Sequence, residues 1–405
     1  MNPPSNKERN TVVLFDIDTE GHHAGYLLHL VREFKEMEGD GTLIIASVPQ
    51  MLEAHNDLAR AIDETPRVLF HEVHPEYPHI APARLRLPIK AIAEWDALNR
   101  VCQAERATHA VLMYADAYLQ VPIALGLPVP CDVSGIYFRP IFHYDTVSPL
   151  PITKSEEHRG RRQRRLLRRS MHHPKLSTIF SLDSFAVHGL NALGQMSKAR
   201  WLPDPIDASS DTHPQVMRDQ LGVRDSDTML LLFGVLSSRK GVRQVLDAMR
   251  LLPADVRRNT ILSLVGPVHA SVKTDIEAAR SALGRSLKIR DEFISESDVQ
   301  SFFAAADIVL APYPRHVGMS AIVIRAAAAG TPLISSAFGL MGALVKHHRL
   351  GLCVDAREPA AIAEAVLDLR NAPSLYASPT AMQKLATAHH PKLFANAILT
   401  EAFSG

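Results

Sequence analysis

The chain has 405 residues, of which 46% are hydrophobic, and this is enough for two domains with cores of their own. Its 44 basic and 43 acidic residues leave a net charge of +1, so no overall charge attracts nucleic acid, and we expect no nucleic-acid partner. Three cysteines without paired metal spacing, and a polar start without the apolar core of a signal peptide, favour a reducing cytoplasm over secretion.

The first half alternates short apolar runs with helical stretches. Strands are expected in the runs TVVLFDID, GTLIIASV, PRVLFHEV, THAVLMY and CDVSGIYF. After the first run, one helical face collects the apolar residues Tyr26, Leu27, Leu30, Val31 and Phe34. This order predicts a parallel sheet that is covered by helices.

A basic segment, residues 154–175, interrupts this pattern with nine Lys or Arg and two Glu, a local charge of +7. Seven arginines fall within 159–169, and its apolar face consists of Leu166, Leu167 and Met171, so membrane insertion would be shallow. One interpretation is a surface for anionic lipid or for an acceptor, which places the protein peripherally on the inner face of the membrane. The other is a solvated helix or a loop, although the excess charge favours the first.

The alternation resumes after a cluster of Pro, Asp and Ser between Pro203 and Asp211, which indicates a linker. Strands are expected in TMLLLFGV, NTILSLVG, SLKIRDEF, ADIVLAPY, TPLISS and GLCVDA. The predicted fold class is α/β, with two Rossmann-like doubly wound domains facing across a cleft. The predicted boundaries are 1–205 for the first domain, 206–388 for the second, and 389–405 for a C-terminal helix that crosses back to the first.

The run LLFGVLSSRKG combines a strand, a loop containing Gly234 and the start of a helix. A helix N-terminus offers unpaired N–H groups, and Arg239 and Lys240 add two cations at that point. The assembly suits a diphosphate. An ordinary strand-to-helix turn with solvated charges has the same sequence pattern.

A second candidate is the run ADIVLAPYPRHVGMSAIVIRAAAAGTPLI, in which a helix is expected to begin near Ser320, capped by its hydroxyl. The backbone amides of Gly318, Met319 and Ser320 would then point at an anion. In the preceding loop, Arg315 and His316 either contact the phosphate or sugar of a donor or are solvated loop residues.

Together the two runs resemble the donor-binding domain of GT-B glycosyltransferases, most closely glycosyltransferase family 4. Of the family's patterns, the chain keeps Gly234, Leu236, Lys240, Gly241, Gly318, Ala326, Gly330, Thr331 and Pro332. The resemblance covers nearly the whole chain, because FDIDTEGHHAGYLLHLV is similar to the family's first loop, WLPDPIDA to its domain boundary and HPKLFANAILTEAF to its last helix.

This resemblance implies a GT-B fold and the transfer of a sugar from a nucleotide-diphosphate donor to a hydroxyl acceptor. The acceptor is a glycan, a lipid or a small molecule, and lipid-linked or membrane-presented acceptors are included. The family implies retention of configuration. It also implies that the enzyme works without a bound metal or another cofactor, with the nucleotide sugar as a substrate.

Both glutamates of the family's second pattern are replaced, the first by Val317 and the second by Arg325. In the family the first acid contacts the transferred sugar and the second holds the nucleotide ribose. Valine has no acceptor atom and arginine only donates, so neither binds a hydroxyl in the same way. Arg325 either faces a donor phosphate, compensating for the arginine that the family often has at Val235, or forms a salt bridge at a helix end.

In the first half, the run DTEGHHAGYL places Gly21, His22 and His23 at a strand-to-helix turn, where the glycine allows a tight bend. One histidine positions an acceptor hydroxyl or a donor phosphate, or the two serve in capping and packing. Asp16 and Asp18 form a DxD sequence, but they follow the first strand of a GT-B-like domain. We therefore expect no metal site.

The run VSGIYFRPIFHYD stands where the family usually has a strand ending in a histidine of the catalytic cleft, which makes Arg139 and His143 candidates. Histidine has a pKa suited to the general base of an inverting transferase. A retaining transferase needs its leaving phosphate stabilised, and Arg139, Arg239 and Lys240 offer the charge.

Three functions fit these patterns. The first is a glycosyltransferase; the second is a catalytically degenerate GT-B protein that binds a nucleotide sugar or a partner without turnover, to which the missing acids point. The third is a GT-B-like sugar-nucleotide epimerase. The retention of Gly318, Lys240 and the Gly-Thr-Pro stop favours the transferase.

Overall fold

The computed structural model of the protein describes residues 10–76, 86–207 and 212–404, so part of the predicted linker lies outside the described residues. Its strands are β1 (Thr11–Phe15), β2 (Thr42–Ser47), β3 (Val68–Glu72), β4 (His109–Leu112), β5 (Asp132–Tyr137), β6 (Leu176–Ser181), β7 (Ala199–Trp201), β8 (Thr228–Phe233), β9 (Thr260–Val265), β10 (Leu287–Arg290), β11 (Ile308–Ala311), β12 (Leu333–Ser336) and β13 (Gly351–Val354).

The helices are α1 (His23–Glu36), α2 (Gln50–Ala54), α3 (Asn56–Asp63), α4 (Arg86–Ala104), α5 (Asp116–Gln120), α6 (Tyr144–Val147), α7 (Lys154–Met171), α8 (Ala186–Gly194), α9 (Pro214–Leu221), α10 (Val242–Leu251), α11 (Ala254–Arg258), α12 (Ala270–Leu283), α13 (Glu296–Ala305), α14 (Ala321–Ala329), α15 (Gly339–His348), α16 (Pro359–Asn371), α17 (Pro373–Tyr376), α18 (Pro379–Ala388) and α19 (Pro391–Phe403). No helix among the described residues is both long and apolar enough to cross a bilayer.

The chain forms two compact units. The first contains residues 1–143, 155–205 and 391–405, and the second contains 144–154 and 206–390. The sequence-based boundaries assigned 144–154 to the first domain, whereas the structure places this segment in the second unit. In the segment, the hydroxyls of Tyr144 and Ser148 accept hydrogen bonds from the backbone amides of Gly318 and Gly339, which follow β11 and β12.

The first unit is built on a parallel sheet with the strand order β3-β2-β1-β4-β5-β6-β7. The predicted strand-and-helix order of this half is confirmed, but the sequence interpretation did not assign β6 or β7. Its central strands are fully buried, as expected of a sheet covered on both faces. The helical face predicted for α1 is buried too.

The basic segment folds as α7, and this corrects one expectation about its surface. Leu167 and Met171 are completely buried in the core of the first unit, so they offer no apolar face to a membrane. Leu166 is half-buried. The outward side of α7 is therefore arginine-rich and almost without apolar side chains.

The second unit has a parallel sheet in the order β10-β9-β8-β11-β12-β13. All six strands predicted for this half are present. The order matches that of Rossmann-like folds, in which the chain starts at the centre, winds to one edge and returns to the other. In α14, Ala326 and Ala327 are buried, and Gly330 ends the helix in a left-handed conformation.

Candidate functional site

Both units place their candidate residues beyond the carboxyl ends of the strands at which the winding direction reverses. This switch point lies between β8 and β11 in the second unit and between β1 and β4 in the first. Ligands of doubly wound sheets bind at such points, because the loops on the two sides diverge and leave a crevice. Each unit therefore has its own candidate binding region.

In the second unit, Lys240 joins the two loops at the switch point. Its Nζ donates to the carbonyl of Phe233 at 2.6 Å and to Tyr313 Oη at 3.0 Å. Lys240 is 7% exposed, and no carboxylate pairs with it within the part of the chain that the structure describes. A buried cation without an acidic partner is costly, and the third N–H of its ammonium remains for an anion.

Two glycines allow the close packing around this lysine. A side chain on Gly234, which has φ +92°, would put its Cβ 2.8 Å from Lys240 Nζ. A Cβ on Gly241, at φ +75°, would lie 2.3 Å from the carbonyl oxygen of Pro312. Arg239 is exposed beside them, with its guanidinium 5.9 Å from the ring of Tyr313. The predicted diphosphate residues of this motif thus meet at one place.

The loop after β11 differs from the prediction in two respects. The backbone N–H of Gly318 donates to Tyr144 Oη at 2.9 Å, so it does not point at an open anion site. Ser320 precedes α14 as predicted, but its hydroxyl makes no capping hydrogen bond. The carbonyl of Met319 accepts from His316 Nε2 at 3.2 Å, which holds the histidine within its own loop.

Arg315 is likewise held by its neighbours in the second unit. It has a left-handed backbone with φ 52°, and its Nη2 donates to the carbonyl of Pro151 at 3.1 Å. Its guanidinium lies 4.4 Å from the ring centre of Phe338. Contact of Arg315 or His316 with a donor stays a prediction.

Arg325 forms an ion pair with Glu296, the first residue of α13. The side chain of Arg325 is 12% exposed and that of Glu296 is 68% exposed. Of the two roles that the sequence allowed for Arg325, the structure shows the salt bridge. The carboxylate comes from a different helix, so an acid does lie beside the position where the family pattern has one.

In the first unit, His23 and Asp16 form a buried pair. His23 Nδ1 lies 2.8 Å from each carboxylate oxygen of Asp16, and its Nε2 lies 3.8 Å from Asp18. Burial disfavours the charged imidazole, but the hydrogen bond and the charge of Asp16, with that of Asp18, outweigh it and raise the pKa of His23. Asp16 thus holds a histidine, and the described residues contain no group of metal ligands.

His22 lies among aromatic rings. Its ring centre lies 4.5 Å from that of His23, 4.7 Å from that of Tyr26 and 4.8 Å from that of Phe138. His22 is exposed at the surface, but the surrounding protein partly desolvates its imidazole and, with the charge of His23, lowers the pKa of His22. His22 is therefore neutral at pH 7, able to accept a hydrogen bond but weakly basic. Gly21 makes the preceding turn with φ +72°.

Asp116 is a residue that the sequence interpretation missed. It is the first residue of α5, which follows β4, and its carboxylate accepts the N–H groups of Phe138 at 2.9 Å and Arg139 at 3.0 Å. Burial raises the pKa of Asp116 to about 6, although these donors and the charge of Arg139 oppose the rise. The signal in the sequence was an aspartate just after a buried strand. Asp116 fixes the backbone from which Arg139 projects.

His143 lies at the end of a short 3-10 turn and is 6% exposed. Its Nε2 lies 2.9 Å from Asp183 Oδ2, and Asp183 is fully buried. The pair has the form of a base and the carboxylate that orients it. A hydroxyl substrate must reach this buried ring before His143 can act as a base.

The structure thus brings His22, His23 and the Arg139 region together in the first unit, and Gly234, Lys240 and Arg239 together in the second. Tyr313, Tyr144, Asp116 and Asp183 are partners that sequence reasoning did not identify. Each meets its candidate residue across a long stretch of sequence, so local patterns contain no sign of the contact.

The raised pKa of His23 predicts a pH-dependent contribution to stability. The contribution of His23 to stability is fully present below its pKa in the unfolded chain, near 6.5. It is lost as the pH rises through the higher pKa of His23 in the folded protein, and the free energy of unfolding changes by at most about 1.4 kcal/mol per pH unit. The free energy of unfolding of the wild type minus that of His23→Gln should therefore shrink as the pH rises above 6.5.

Urea titrations followed by tryptophan fluorescence measure this quantity, because Trp95 and Trp201 both lie in the first unit. His22→Gln is the control: its lowered pKa leaves the histidine neutral throughout this range. A His23→Gln difference that stays constant with pH would contradict the assignment.

The second unit matches a known family. The model named "Glycosyl transferases group 1" covers residues 227–371. The lipopolysaccharide glucosyltransferase WaaG of Escherichia coli is 31% identical over 127 residues, which are 30% of this chain and 32% of that protein. A D-inositol 3-phosphate glycosyltransferase of Xylanimonas cellulosilytica is 27% identical over 169 residues, or 40% of this chain and 38% of that protein. The chain thus spans about a third of the length of the curated relatives it matches.

Solved structures extend the likeness to the whole fold. Anabaena HepE in complex with UDP has a TM-score of 0.66 at 16% identity, covering 98% of this chain and 99% of that one. The crystal structure of WaaG has a TM-score of 0.61 at 14% identity, covering 98% and 100%. The chain therefore has the GT-B fold, and its residues 227–371 match the model of the Glycosyl transferases group 1 family.

Proposed function

We propose that this protein is a glycosyltransferase that moves a sugar from a nucleotide-diphosphate donor to an acceptor hydroxyl, as family 4 enzymes do. The observation that carries the proposal is the buried ammonium of Lys240 at the switch point of the second unit, inside the segment that matches the family. An anionic ligand such as a diphosphate offsets the cost of this buried charge.

The residues of the second unit suit the departure of a nucleoside diphosphate. As the bond between sugar and phosphate breaks, negative charge grows on the leaving oxygen. Lys240 is fixed by two hydrogen bonds before the reaction, and Arg239 adds a second cation beside it. Preorganised charge of this kind stabilises a transition state without a metal, and we propose a metal-independent reaction with retention.

In the first unit, the acceptor is proposed to bind at the His22, His23 and Arg139 region. Asp16 holds the Nδ1 of His23 at 2.8 Å, and neutral His22 can accept a hydrogen bond from a hydroxyl. The backbone N–H of Arg139 donates to the carboxylate of Asp116, which fixes the position of this residue. His143, paired with Asp183, is the candidate base if a hydroxyl proton must be removed.

The experiment that tests the function is a panel of nucleotide sugars. A thermal-shift screen with UDP, GDP, ADP and dTDP first identifies the base, and the UDP complexes of HepE make UDP the first choice. The corresponding nucleotide sugars are then incubated without acceptor. We expect slow release of nucleoside diphosphate and free sugar, since transferases hydrolyse their donors when no acceptor is bound.

Two outcomes would contradict the proposal. Binding without any hydrolysis would indicate the degenerate protein that the replaced acids suggested. A nucleotide sugar converted to its epimer would indicate an epimerase instead of a transferase.

We further propose that the acceptor is lipid-linked or presented on a membrane, and the surface of α7 supports this. The outward side of α7 exposes four arginines that have no ion-pair partner among the described residues: Arg162, Arg165, Arg168 and Arg169. A surface recess of about 370 Å³ lies on the same helix and is lined by His158, Arg161, Arg162 and Arg165. Anionic headgroups attract such residues by about 1 kcal/mol each. Because Leu167 and Met171 are buried, binding should be electrostatic alone.

We therefore expect flotation with vesicles that contain anionic lipid, no flotation with neutral vesicles, and release at 1 M salt, at which charges are screened beyond about 3 Å. The variant Arg162→Gln, Arg165→Gln, Arg169→Gln should lose binding. The matched control, Arg32→Gln, Arg60→Gln, Arg100→Gln, makes the same change of charge on other exposed arginines of the first unit. Equal losses in both variants would argue against α7.

A further inference from the structure

One segment, residues 144–154, belongs to the second unit although the residues on both sides of it belong to the first. We call it the strap. It begins with Tyr144, directly after His143, and ends where α7 begins. Its contacts fall on the loops after β11 and β12, at the carboxyl edge of the second sheet.

Tyr144 makes the central contact. It is fully buried, and its hydroxyl accepts the backbone N–H of Gly318 at 2.9 Å. Its ring lies against Gly339, where an added Cβ would be 2.4 Å away, and meets the ring of Phe338 edge-on at 5.5 Å. One side chain therefore holds both loops.

Further contacts follow along the strap. The hydroxyl of Ser148 accepts the N–H of Gly339 at 3.0 Å and donates to the carbonyl of Leu150 at 2.7 Å. The carbonyl of Pro151 accepts from Arg315. The strap thus fixes the first backbone amide of α15 and the guanidinium of Arg315.

The loop from Pro314 to Ser320 needs such support, because Arg315 has φ 52°, a left-handed backbone that is costly for a residue with a Cβ. A backbone of this kind persists when surrounding contacts determine it. Its start is held by the bond between Tyr313 and Lys240, and its end by the bond between Gly318 and Tyr144. The loop leads into α14, so its shape sets the direction of the amides at that helix N-terminus.

We propose that Tyr144 is a positioning residue for donor binding, which it governs through the Gly318 loop without touching the donor. The inference rests on the proposed function. It also explains why the N–H of Gly318 is hydrogen-bonded to Tyr144. This N–H holds the loop in place, whereas Lys240 and the amides at the start of α14 bind the donor.

Tyr144→Phe is the test, because it keeps the ring against Gly339 and removes only the hydroxyl. We expect the Kd for the nucleoside diphosphate that stabilises the wild type, and the KM for its sugar, to rise about 5- to 10-fold, the loss of one hydrogen bond. The kcat should stay unchanged. Hydrogen exchange of residues 314–320 should be faster in Tyr144→Phe even without nucleotide.

Tyr118→Phe is the matched control, since it removes a buried hydroxyl that donates to Glu94 in the first unit at 2.8 Å. It should leave nucleotide affinity unchanged. An affinity of Tyr144→Phe within twofold of the wild type would overturn the proposal, and tighter binding would show that the hydroxyl competes with the donor. If the wild type binds none of UDP, GDP, ADP and dTDP, the proposed function fails and this inference with it.

Discussion

Replacing Gly241 with alanine is expected to lower the free energy of unfolding of the second unit by roughly 2–5 kcal/mol. The added Cβ would lie 2.3 Å from the carbonyl oxygen of Pro312, a backbone atom that cannot rotate away. The left-handed backbone at φ +75° adds about 1–2 kcal/mol of strain for a residue with a Cβ, and overpacking adds about 1–3 kcal/mol. Because Gly241 follows Lys240, nucleotide binding should weaken as well.

Hydrogen exchange of the peptides covering residues 228–251, measured in urea, reports this change, because both tryptophans lie in the first unit. Gly330→Ala is the matched control. Gly330 has a similar φ of +68°, but no heavy atom lies within 4 Å of the added Cβ. Gly330→Ala should therefore lower the free energy of unfolding only by the backbone strain. Equal effects of the two substitutions would show that the contact with Pro312 is unimportant.

Lys240→Met is expected to weaken the binding of nucleoside diphosphate by about 10- to 150-fold, the equivalent of about 1.5–3 kcal/mol for a hydrogen bond to a charged group. Methionine fills a similar volume but provides no donors. The carbonyl of Phe233 and the hydroxyl of Tyr313 both lose their hydrogen bond, so the second unit should also lose about 1–3 kcal/mol of stability. Isothermal titration with the nucleotide found in the screen measures the affinity.

Arg239→Met is the control for Lys240→Met, because it removes the same charge from an exposed neighbour. It should reduce affinity less, since water screens an exposed cation. If Lys240→Met binds nucleotide as tightly as the wild type, the buried ammonium does not serve a diphosphate, and the main support for the proposed function is lost.

The fold was predictable from the sequence where buried strands are long apolar runs. Each run from TMLLLFGV to GLCVDA contains a strand of the second sheet, and the central strands β8, β9 and β11 are mostly apolar because both faces of the sheet are covered. β7 has three residues and ends in the exposed Trp201, so it lacks that signal. The strap was assigned to the wrong domain, because its membership depends on contacts with loops that lie far along the chain.

The candidate site was predictable in position but not in its hydrogen bonds. A glycine loop with two cations predicted the place of Lys240, yet its acceptor Tyr313 lies 73 residues further along the chain. The same holds for Arg325, whose partner Glu296 stands on another helix. Residue type shows which group can bind a phosphate, whereas the packing decides whether that group is already engaged by the protein.

The last helix has a consequence for how the protein is made. α19 belongs to the first unit, where Phe394, Ile398 and Leu399 are completely buried and Phe403 stacks on Phe34 of α1. Translation proceeds from the N-terminus to the C-terminus, so residues 206–390 emerge from the ribosome before α19 does. The second unit can thus fold during translation before α19 has emerged, while the apolar surface of α1 stays uncovered until α19 follows.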